Sequence, residues 1–334
     1  MNLLRKSLYP FSLLYDIVTR VRNAAYDAQW IRKRQFNVPI IVVGNLSTGG
    51  SGKTPMVAYL IDHFSNHFSL AVLSRGYKRK SSGFVLANPN SSIESLGDES
   101  FLLSQKFSKT HFAVCKNRVQ GVEQLLANFP SIDGIFLDDG FQHRKLKPSF
   151  QILLTPYDMP WHRDCVLPAG NLRESARGKK RADLIVVTKC PETLTKKEQD
   201  AHIHQLQLNA NQKIFFTTIV YDTSIYGTKQ MKLKSFISNP FVLVTGIANA
   251  KPLTDFLETL GSKFEHLAFA DHHFFSSSDC AKILSKGRPI LTTEKDYVRL
   301  SPMIKELYFI PISIRFLFDE EDQFTALIAN QLKN

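Results

Sequence analysis

Short apolar runs rich in β-branched residues recur along the chain. Such runs are typical of buried parallel strands, because helices cover both faces of a parallel sheet. They occupy residues 38–43, 70–73, 134–137, 184–187, 241–245 and 290–292. Helical spacing of apolar residues follows the first run at residues 55–64 and closes the chain near residues 321–332. This alternation predicts an α/β fold with doubly wound sheets.

The first 36 residues have the spacing of an amphipathic helix. One predicted face carries Leu4, Leu8, Phe11, Leu14, Tyr15 and Val18. The segment has seven basic and two acidic residues, a net charge of +5, and Tyr26 and Trp30 follow the apolar stripe. Such a helix can lie in the interface of an anionic membrane. The same stripe is equally compatible with a helix that packs on the following domain, so both interpretations are open at this point.

Composition and charge narrow the class of protein. The 334 residues suffice for two domains with separate cores, and 43% of them are apolar. Lys and Arg number 42 against 30 Asp and Glu, and this excess predicts an acidic partner: nucleic acid, an anionic membrane or a phosphorylated substrate. The four cysteines form no C-x-x-C pair, as expected for reduced thiols in the cytoplasm. No apolar stretch approaches membrane-spanning length, and no signal-peptide cleavage pattern is present.

A phosphate-binding loop is predicted between the first strand and the helix after it. Residues 44–54 read GNLSTGGSGKT, and strand, glycine-rich loop, G-K-T and helix occur in the order that a P-loop requires. The backbone N–H groups would face phosphate oxygens, Lys53 would reach the β- and γ-phosphates, and Thr54 would ligate Mg²⁺. The usual motif has glycine at position 47, where this chain has a serine. The residues predicted to hold the nucleotide are Ser47, Thr48, Gly49, Gly50, Ser51, Gly52, Lys53 and Thr54.

Two aspartates complete the predicted nucleotide site. Asp138 and Asp139 end an apolar run, and an acid at the carboxyl end of such a strand points into the ligand crevice of an open α/β sheet. Both are candidates for Mg²⁺, with Asp138 the first choice. Residues 184–191 (LIVVTKCP) resemble the strand before a GTPase N/T-K-x-D element, but Pro191 stands where the guanine-binding aspartate is needed. ATP is therefore the expected nucleotide.

Further basic and acid–histidine groups follow the apolar runs. The basic groups are residues 75–80, residues 143–147, and the set Arg173, Arg177, Lys179, Lys180 and Arg181. Those at the carboxyl ends of strands would share one rim with the P-loop and form an anion-binding surface. Phosphoryl transfer to a hydroxyl needs a group that accepts its proton, and an Asp–His pair could do so. Residues 270–274 (ADHHF) supply such histidines, although D-H-H also occurs in metal sites.

Seven sequence blocks resemble those of tetraacyldisaccharide 4′-kinases, the lipid A 4′-kinases of bacteria. They are residues 44–55 (GNLSTGGSGKTP), 74–77 (SRGY), 97–99 (GDE), 137–143 (LDDGFQH), 168–174 (PAGNLRE), 271–273 (DHH) and 293–296 (TEKD). The blocks occur in the family's order across nearly the whole chain. The family's own loop lacks the usual first glycine, so Ser47 agrees with the resemblance. No block is recognised between about residues 191 and 241.

The resemblance implies ATP-dependent phosphorylation of the 4′-hydroxyl of a tetra-acylated glucosamine disaccharide 1-phosphate, at the cytoplasmic face of the bacterial inner membrane. Family position implies that Asp98 and His272 form a dyad that activates the hydroxyl; the sequence alone does not separate His272 from His273. It also implies that Lys53 and Thr54 hold ATP and Mg²⁺, with Asp138 and Asp139 completing the metal site. The residues implied in holding the disaccharide or phosphates are Arg75, Tyr77, Glu99, Arg118, His143, Asn171, Arg173 and Glu174.

The predicted organisation has three parts. They are an N-terminal amphipathic, membrane-associating helix at residues 1–36, a P-loop NTPase-like kinase domain at 37–219, and a smaller α/β domain at 220–334. Domain closure around ATP is expected to bring the dyad together. The expected partners are the lipid substrate and an anionic membrane, with no nucleic acid, and the chain is expected to be a monomer. Two alternatives remain open: a soluble P-loop kinase for a small phosphorylated metabolite, and an ATP-switched module that binds nucleic acid.

Overall fold

The computed structural model describes Arg5 and residues 7–333 of the chain. Two predicted N-terminal positions, Leu4 of the apolar stripe and the basic residue Lys6, lie outside these described residues. The chain divides into two compact units: one comprises the described residues up to Ile219 and from Ile314 onward, and the other comprises Val220–Ser313.

Strands and helices alternate along most of the chain. The strands are β1 (Ile40–Asn45), β2 (Leu70–Ser74), β3 (Val85–Leu86), β4 (His111–Val114), β5 (Gly134–Asp138), β6 (Phe150–Pro156), β7 (Leu184–Thr188), β8 (Lys213–Tyr221), β9 (Ser224–Gly227), β10 (Met231–Lys232), β11 (Phe241–Thr245), β12 (Phe264–Ala268), β13 (Ile290–Thr293), β14 (Tyr308–Ile310) and β15 (Ile312–Phe316). The α-helices are α1 (Tyr9–Asp27), α2 (Lys53–Phe64), α3 (Ile93–Leu96), α4 (Asp98–Lys106), α5 (Arg118–Asn128), α6 (Lys196–Leu206), α7 (Leu233–Phe236), α8 (Lys251–Thr259), α9 (Ser277–Leu284), α10 (Glu294–Leu300) and α11 (Glu321–Lys333). Two 3₁₀ helices, Trp161–Arg163 and Ala176–Arg181, lie between β6 and β7.

The first unit is built on a sheet of nine strands formed by described residues, in the order β15-β8-β7-β6-β1-β5-β2-β4-β3. Strands β1, β2, β4, β5, β6, β7 and β8 pair in parallel, and β3 runs antiparallel to β4. All six residues of β1 are buried, which explains its continuous β-branched sequence. Ile40 and Val42 pack into one core with residues of α5 and α6, and Ile41 and Val43 pack into another with residues of α2 and α11. The predicted doubly wound sheet is confirmed.

The C-terminal segment differs from its predicted place. The smaller domain was expected to run to residue 334, but β15 from Ile314 and the whole of α11 belong to the first unit. Phe324 and Ile328 of α11 are fully buried in the core beside α2, and Tyr59 of α2 donates a hydrogen bond to Glu321 at 2.7 Å. An amphipathic pattern shows that a helix buries one face but not which sheet receives it.

The second unit contains a smaller sheet whose described strands have the order β10-β9-β14-β13-β11-β12. Strands β11, β12, β13 and β14 are parallel, and β9 and β10 join their edge antiparallel. Alternate residues of β11 face separate cores: Phe241 and Leu243 pack with α8, and Val242 and Val244 pack with α9 and α10. This unit therefore also carries helices on both faces of its sheet.

Helix α1 packs on the first unit through its polar face. Ser12 is buried and its Oγ accepts a hydrogen bond from the backbone N–H of Ala169 at 2.9 Å. Tyr15 donates to the carbonyl of Arg173 at 2.9 Å. The opposite face carries side chains that are about 60% exposed: Phe11, Leu14, Ile17, Val18 and Val21. Apart from Tyr15, which packs against the core of this unit, the described residues of the apolar stripe are therefore exposed, contrary to the interpretation that the stripe packs on the following domain.

Among the described residues, no helix is both long enough and apolar enough to cross a bilayer.

Candidate active site

The phosphate loop lies where the strand order of the first sheet reverses, at the carboxyl end of β1. β1 lies between β5 and β6, and ligands of open α/β sheets bind at such a switch point. Helix α2 begins at Lys53, and Gly52 before it has φ +85°, a left-handed conformation that suits glycine. The predicted strand, loop and helix are therefore present in the predicted order.

Neighbouring segments hold the phosphate loop in place. The backbone N–H of Thr48 donates to the carbonyl of Asn171 at 2.7 Å. From the end of β7, Thr188 Oγ1 donates to the carbonyl of Ser51 at 2.9 Å, and Lys189 Nζ donates to the carbonyl of Gly50 at 2.6 Å. The bonds from Thr188 and Lys189 occupy loop carbonyls and use no loop N–H group, whereas the N–H groups of Thr48 and Ser51 bond to the carbonyls of Asn171 and Gly49.

The displaced first glycine of the loop has a packing explanation. A Cβ atom on Gly44 would lie 2.6 Å from Cβ of Phe141, so only glycine fits at this point of β1. Ser47 instead forms an isolated antiparallel bridge with Leu172. Glycine at position 44 therefore allows the segment after β5 to pack closely against β1. The backbone at Ser47 pairs with Leu172 of the 168–174 block.

Lys53 points toward acceptors at the ends of β1 and β5. Its Nζ lies 3.3 Å from Asn45 Oδ1 and 3.5 Å from Asp139 Oδ1. Asp139 follows β5 with φ +51°, and Nη1 of Arg173 lies 2.8 Å from each of its carboxylate oxygens. Burial alone would raise the pKa of Asp139, but Lys53 and Arg173 outweigh it and hold that pKa below its usual value. Asp139 is therefore ionised and held between two cations.

Asp138 is buried at the end of β5 and has the opposite electrostatic character. Burial raises its pKa to about 7, the charges of Glu99 and Asp139 add to the increase, and Lys53 and Arg118 oppose it. One carboxylate oxygen accepts a hydrogen bond from Ser74 at 3.2 Å. The other has no hydrogen-bond partner among the described residues. A buried carboxylate oxygen without a partner is a favourable ligand for a cation.

These side chains fit Mg²⁺. The hydroxyl of Thr54 and the carboxylates of Asp138 and Asp139 are hard oxygen donors, the type that Mg²⁺ prefers. Within the described part of the chain, no group of three or more His, Cys, Asp or Glu side chains forms a metal cluster. Mg²⁺ at kinase sites is bound through one or two carboxylates together with substrate phosphates and water.

Several predicted substrate-binding residues have defined local roles. Arg118 is only 2% exposed, its Nη1 donates to the carbonyl of Cys115 at 2.8 Å, and burial lowers its pKa to about 10. Burial, with Arg118 and Lys145 adding to it, lowers the pKa of His143 to about 4, so the imidazole is neutral near pH 7. Arg75 and Tyr77 are exposed on the loop after β2. Arg118 therefore lies under the Asp138 strand end, whereas Arg75 and Tyr77 are accessible to a ligand.

Glu174 and Asn171 link the predicted substrate block to α1 and to the phosphate loop. Glu174 is fully buried and its carboxylate accepts hydrogen bonds from Arg181, from Gln142 at 3.1 Å and from Asn23 of α1 at 2.7 Å. Besides accepting from Thr48 through its carbonyl, Asn171 accepts from Arg5 at 3.0 Å through Oδ1. In this structure the Glu174 carboxylate has no surface left for a ligand, and it is best explained as an anchor of α1.

Asp98 and Glu99 open helix α4 in the first unit. The preceding Gly97 has φ +80°, and a Cβ there would lie 2.6 Å from the carbonyl oxygen of Tyr77. The glycine of the G-D-E block therefore lets the loop after β2 approach the start of α4. Asp98 is 8% exposed at the first helical position, where the helix dipole stabilises a carboxylate.

The second unit distinguishes the two adjacent histidines. His273 lies 3.0 Å from Asp279, whose carboxylate accepts from the backbone N–H of Ser276 at the start of α9, and its ring stacks on Phe269. His272 has φ +57°, and its N–H donates to the carbonyl of Gly246. Its Nδ1 lies 3.1 Å from Arg299, and its Nε2 lies 3.1 Å from Lys295. His273 thus has a local structural role, and His272 is held by two cations one helical turn apart on α10.

Sequence reasoning did not identify some residues that shape the site. Arg299 lies outside the recognised TEKD block, yet its spacing of four from Lys295 predicts that both lie on one face of a helix. Asn45, the acceptor beside Lys53, lies within the recognised 44–55 block but was not assigned a role. Thr188, which holds the phosphate loop, gave no signal, because its role depends on which strands are neighbours.

Comparison with known proteins identifies the family of this chain. Residues 4–333 match the family described as Tetraacyldisaccharide-1-P 4′-kinase. The chain belongs to this family. It is 46% identical to the tetraacyldisaccharide 4′-kinase of Flavobacterium johnsoniae, an alignment that covers 100% of this chain and 98% of that protein. It is 39% identical to the tetraacyldisaccharide 4′-kinase of Bacteroides thetaiotaomicron, with coverage of 99% and 94%.

The fold of this family member also matches a solved structure. LpxK from Aquifex aeolicus, solved in complex with ATP, is similar with a TM-score of 0.80 and 29% sequence identity, covering 99% of this chain and 100% of that one. The predicted family membership and the predicted α/β fold are therefore confirmed. The roles of individual site residues stay predictions.

Proposed function

We propose that this protein is an ATP-dependent kinase that phosphorylates the 4′-hydroxyl of a tetraacyldisaccharide 1-phosphate in lipid A biosynthesis. Family membership supports the substrate class. The observation that carries the chemistry is the pair of carboxylates at the end of β5: Asp139 lies 3.5 Å from Lys53 of the phosphate loop, and Asp138 has a buried oxygen without a partner among the described residues. A loop that binds phosphate beside oxygen ligands for Mg²⁺ is the arrangement that phosphoryl transfer requires.

In the proposed reaction the acceptor hydroxyl oxygen bonds to the γ-phosphorus, and the bond from that phosphorus to the β–γ bridging oxygen breaks. ADP leaves with the bridging electron pair. Mg²⁺, held by Thr54, Asp138 and Asp139, would neutralise charge on the phosphates. Lys53 supports the transferred group, and the loop N–H groups bind the phosphate oxygens. This part of the site positions the donor and stabilises charge.

The hydroxyl proton needs an acceptor, and we assign it to the Asp98–His272 dyad. Asp98 begins α4 as a nearly buried carboxylate, and His272 is oriented by Arg299 and Lys295. Arg299 approaches Nδ1 and Lys295 approaches Nε2, so both ring nitrogens contact donor groups of α10 and the orientation of the ring is fixed. The assignment is tested by kinetics, since the two residues belong to different units.

We further propose that the protein binds the cytoplasmic face of the inner membrane through α1. An amphipathic helix that packs on its own protein usually buries its apolar face, whereas α1 buries Ser12 and Thr19 and exposes Phe11, Leu14 and Val18. An exposed apolar helix face beside basic residues is the signature of an interfacial helix. This orientation favours a lipid acceptor over the alternative of a small soluble metabolite. No observation favours nucleic-acid binding.

Incubation with ATP, Mg²⁺ and the tetraacyldisaccharide 1-phosphate, followed by mass spectrometry, tests the proposed function. The expected product carries one additional phosphate at the 4′ position. Lys53→Ala is the control for the site: removing this charge is expected to lower turnover by about 10²–10³-fold, as for loss of one stabilising donor of a transition state. Absence of product with the wild-type protein, or wild-type turnover in Lys53→Ala, would contradict the assignment.

A further inference from the structure

A second concave site lies in the first unit, away from the phosphate loop. The 3₁₀ helices Trp161–Arg163 and Ala176–Arg181, together with the end of α6, line a cavity of about 900 Å³. Trp161 is 3% exposed and forms part of the apolar wall of this cavity. We call this space the basic cavity, because its charged lining residues are Arg163, Arg177, Lys179 and Lys180.

The charge of the basic cavity is not neutralised by the chain. Among the described residues, no Asp or Glu lines it, and none of its four basic side chains forms an ion pair. Burial, and then the charge of Lys180, lowers the pKa of Lys179. Lys179 donates to the carbonyl of Gln207 at 2.6 Å, near the negative end of α6. Arg163 donates to the side-chain carbonyl of Gln205 at 3.2 Å, and Arg163, Arg177 and Lys180 have no carboxylate partner among the described residues.

Neighbouring basic residues of the same sequence cluster are paired within the chain, whereas Arg177 and Lys180 are exposed. The sequence cluster of residues 173–181 divides in the structure. Arg173 pairs with Asp139 and Arg181 pairs with Glu174, so these two charges are used within the chain. Arg177 and Lys180, which lie between them in sequence, line the basic cavity.

The basic cavity and the phosphate loop lie toward opposite ends of β7. Gln212 donates to the carbonyls of Lys179 and Ala182 just before that strand begins, whereas Thr188 at its end holds the phosphate loop. A strand of this length separates the Lys179–Ala182 segment from Thr188 by about 15 Å, at about 3.3 Å per residue, whereas Arg163 follows the carboxyl end of β6. The phosphates of a nucleotide on the loop therefore do not account for Lys180, which lies in the segment before β7.

Both segments that line the basic cavity are tied to α1. Asp164, next to Arg163, accepts from Asn171 at 3.0 Å, and Asn171 accepts from Arg5 near the start of α1. Glu174, just before the second 3₁₀ helix, accepts from Asn23 of α1. The basic cavity is thus connected through these residues to the helix whose apolar face is exposed.

We propose that the basic cavity binds the phosphate group of a lipid. Two arginines and a lysine without counter-charges suit a phosphate ester, because guanidinium groups bind phosphate through paired hydrogen bonds. The phosphate has two sources: the headgroup of an anionic bilayer phospholipid, or the 1-phosphate of the lipid substrate, and the second source rests on the proposed function. Either one would orient the enzyme or its substrate at the membrane surface.

The test uses full-length Arg177→Gln/Lys180→Gln, with Arg163→Gln as a second variant. Lys109→Gln/Lys197→Gln removes the same charge from exposed positions of the same unit outside the basic cavity. In the first arm, flotation with phosphatidylcholine vesicles, with and without phosphatidylglycerol, measures binding. In the second arm, kinetics in detergent micelles compare the tetraacyldisaccharide 1-phosphate with the same disaccharide lacking the 1-phosphate.

A headgroup in the basic cavity predicts that the cavity variants lose phosphatidylglycerol-dependent binding by about tenfold or more, as expected for two charges near an anionic surface. If the basic cavity binds the 1-phosphate of the substrate, the cavity variants should show a similar rise in KM for the tetraacyldisaccharide 1-phosphate, with unchanged kcat. Their KM for the disaccharide lacking the 1-phosphate should not change. If the cavity variants match the surface control in both arms, the proposal is wrong. Wild-type protein that transfers no phosphate would contradict the proposed function, whereas the vesicle arm would still test the basic cavity.

Discussion

Nη1 of Arg173 lies 2.8 Å from each carboxylate oxygen of Asp139, and this contact joins two residues assigned to different roles by sequence. Arg173 was predicted to hold substrate and Asp139 to hold Mg²⁺. Lys53 of the phosphate loop contacts the same carboxylate. Arg173 therefore fixes the orientation of the Asp139 side chain, which lies beside the phosphate loop and is a proposed ligand of Mg²⁺. We infer that Arg173 acts at least partly through Asp139.

Replacing Arg173 with Met is therefore expected to weaken Mg²⁺ binding. Loss of a residue that orients a metal ligand typically costs about 10–100-fold in metal affinity or activity. The Mg²⁺ concentration for half-maximal turnover, at saturating ATP and lipid, should rise by that factor. Arg173→Lys, which keeps the charge, should recover part of the loss. A rise in KM for lipid alone, with unchanged Mg²⁺ dependence, would instead assign Arg173 to substrate.

Much of the first unit could be predicted from sequence, because β-branched runs and the glycine-rich loop depend on local preferences. The run at residues 38–43 predicted β1 within two residues of its observed bounds, Ile40–Asn45. Contacts that depend on strand order could not be predicted. Thr188 reaches Ser51 only because β7 lies two strands from β1, an arrangement that no local pattern specifies.

The orientation of α1 is a second limit of sequence reasoning. Spacing identified Phe11, Leu14 and Val18 as one face, but the pattern does not show whether the protein core or a membrane covers that face. The answer lies in distant hydrogen bonds, such as those from Ala169 to Ser12 and from Asn23 to Glu174. Similarly, a continuous domain to residue 334 was expected because nothing local shows that α11 returns to the first sheet.

The dyad assignment predicts non-additive kinetics. Asp98→Ala and His272→Ala are each expected to lower kcat by about 10²–10⁴-fold, the usual contribution of a general base. The double variant should be little worse than either single variant, because removing one member of a pair that acts together already abolishes the contribution of both. His273→Ala is the matched control: since His273 contacts Asp279 and Phe269, it should retain kcat. Losses that multiply in the double variant would contradict a joint role.

A substitution at Gly44 tests whether this glycine is needed for the close packing of Phe141 against β1. A Cβ at this position would meet Cβ of Phe141 at 2.6 Å, so Gly44→Ala should destabilise the protein by about 1–3 kcal/mol, the usual cost of overpacking. At Gly50, a Cβ would make only an ordinary contact of 3.6 Å with Lys189 Nζ, so Gly50→Ala should change the free energy of unfolding much less. Chemical denaturation of both variants measures the difference. Equal stabilities would show that the chain after β5 moves easily away from β1.

Helix α1 predicts that membrane binding is separable from folding. Leu13 and Leu14 are 50% and 62% exposed, so Leu13→Ser/Leu14→Ser should leave the thermal midpoint nearly unchanged. Full burial of a leucine contributes about 1.5–3 kcal/mol, and loss of half of the lower value at both positions would reduce binding to phosphatidylcholine vesicles by about tenfold. The matched control is Leu260→Ser/Leu284→Ser, which changes two exposed leucines of the second unit. If both pairs reduce vesicle binding equally, the membrane contact is not specific to α1. If only the α1 pair does so while turnover of micellar substrate is retained, the helix is a membrane anchor that the chemistry itself does not need.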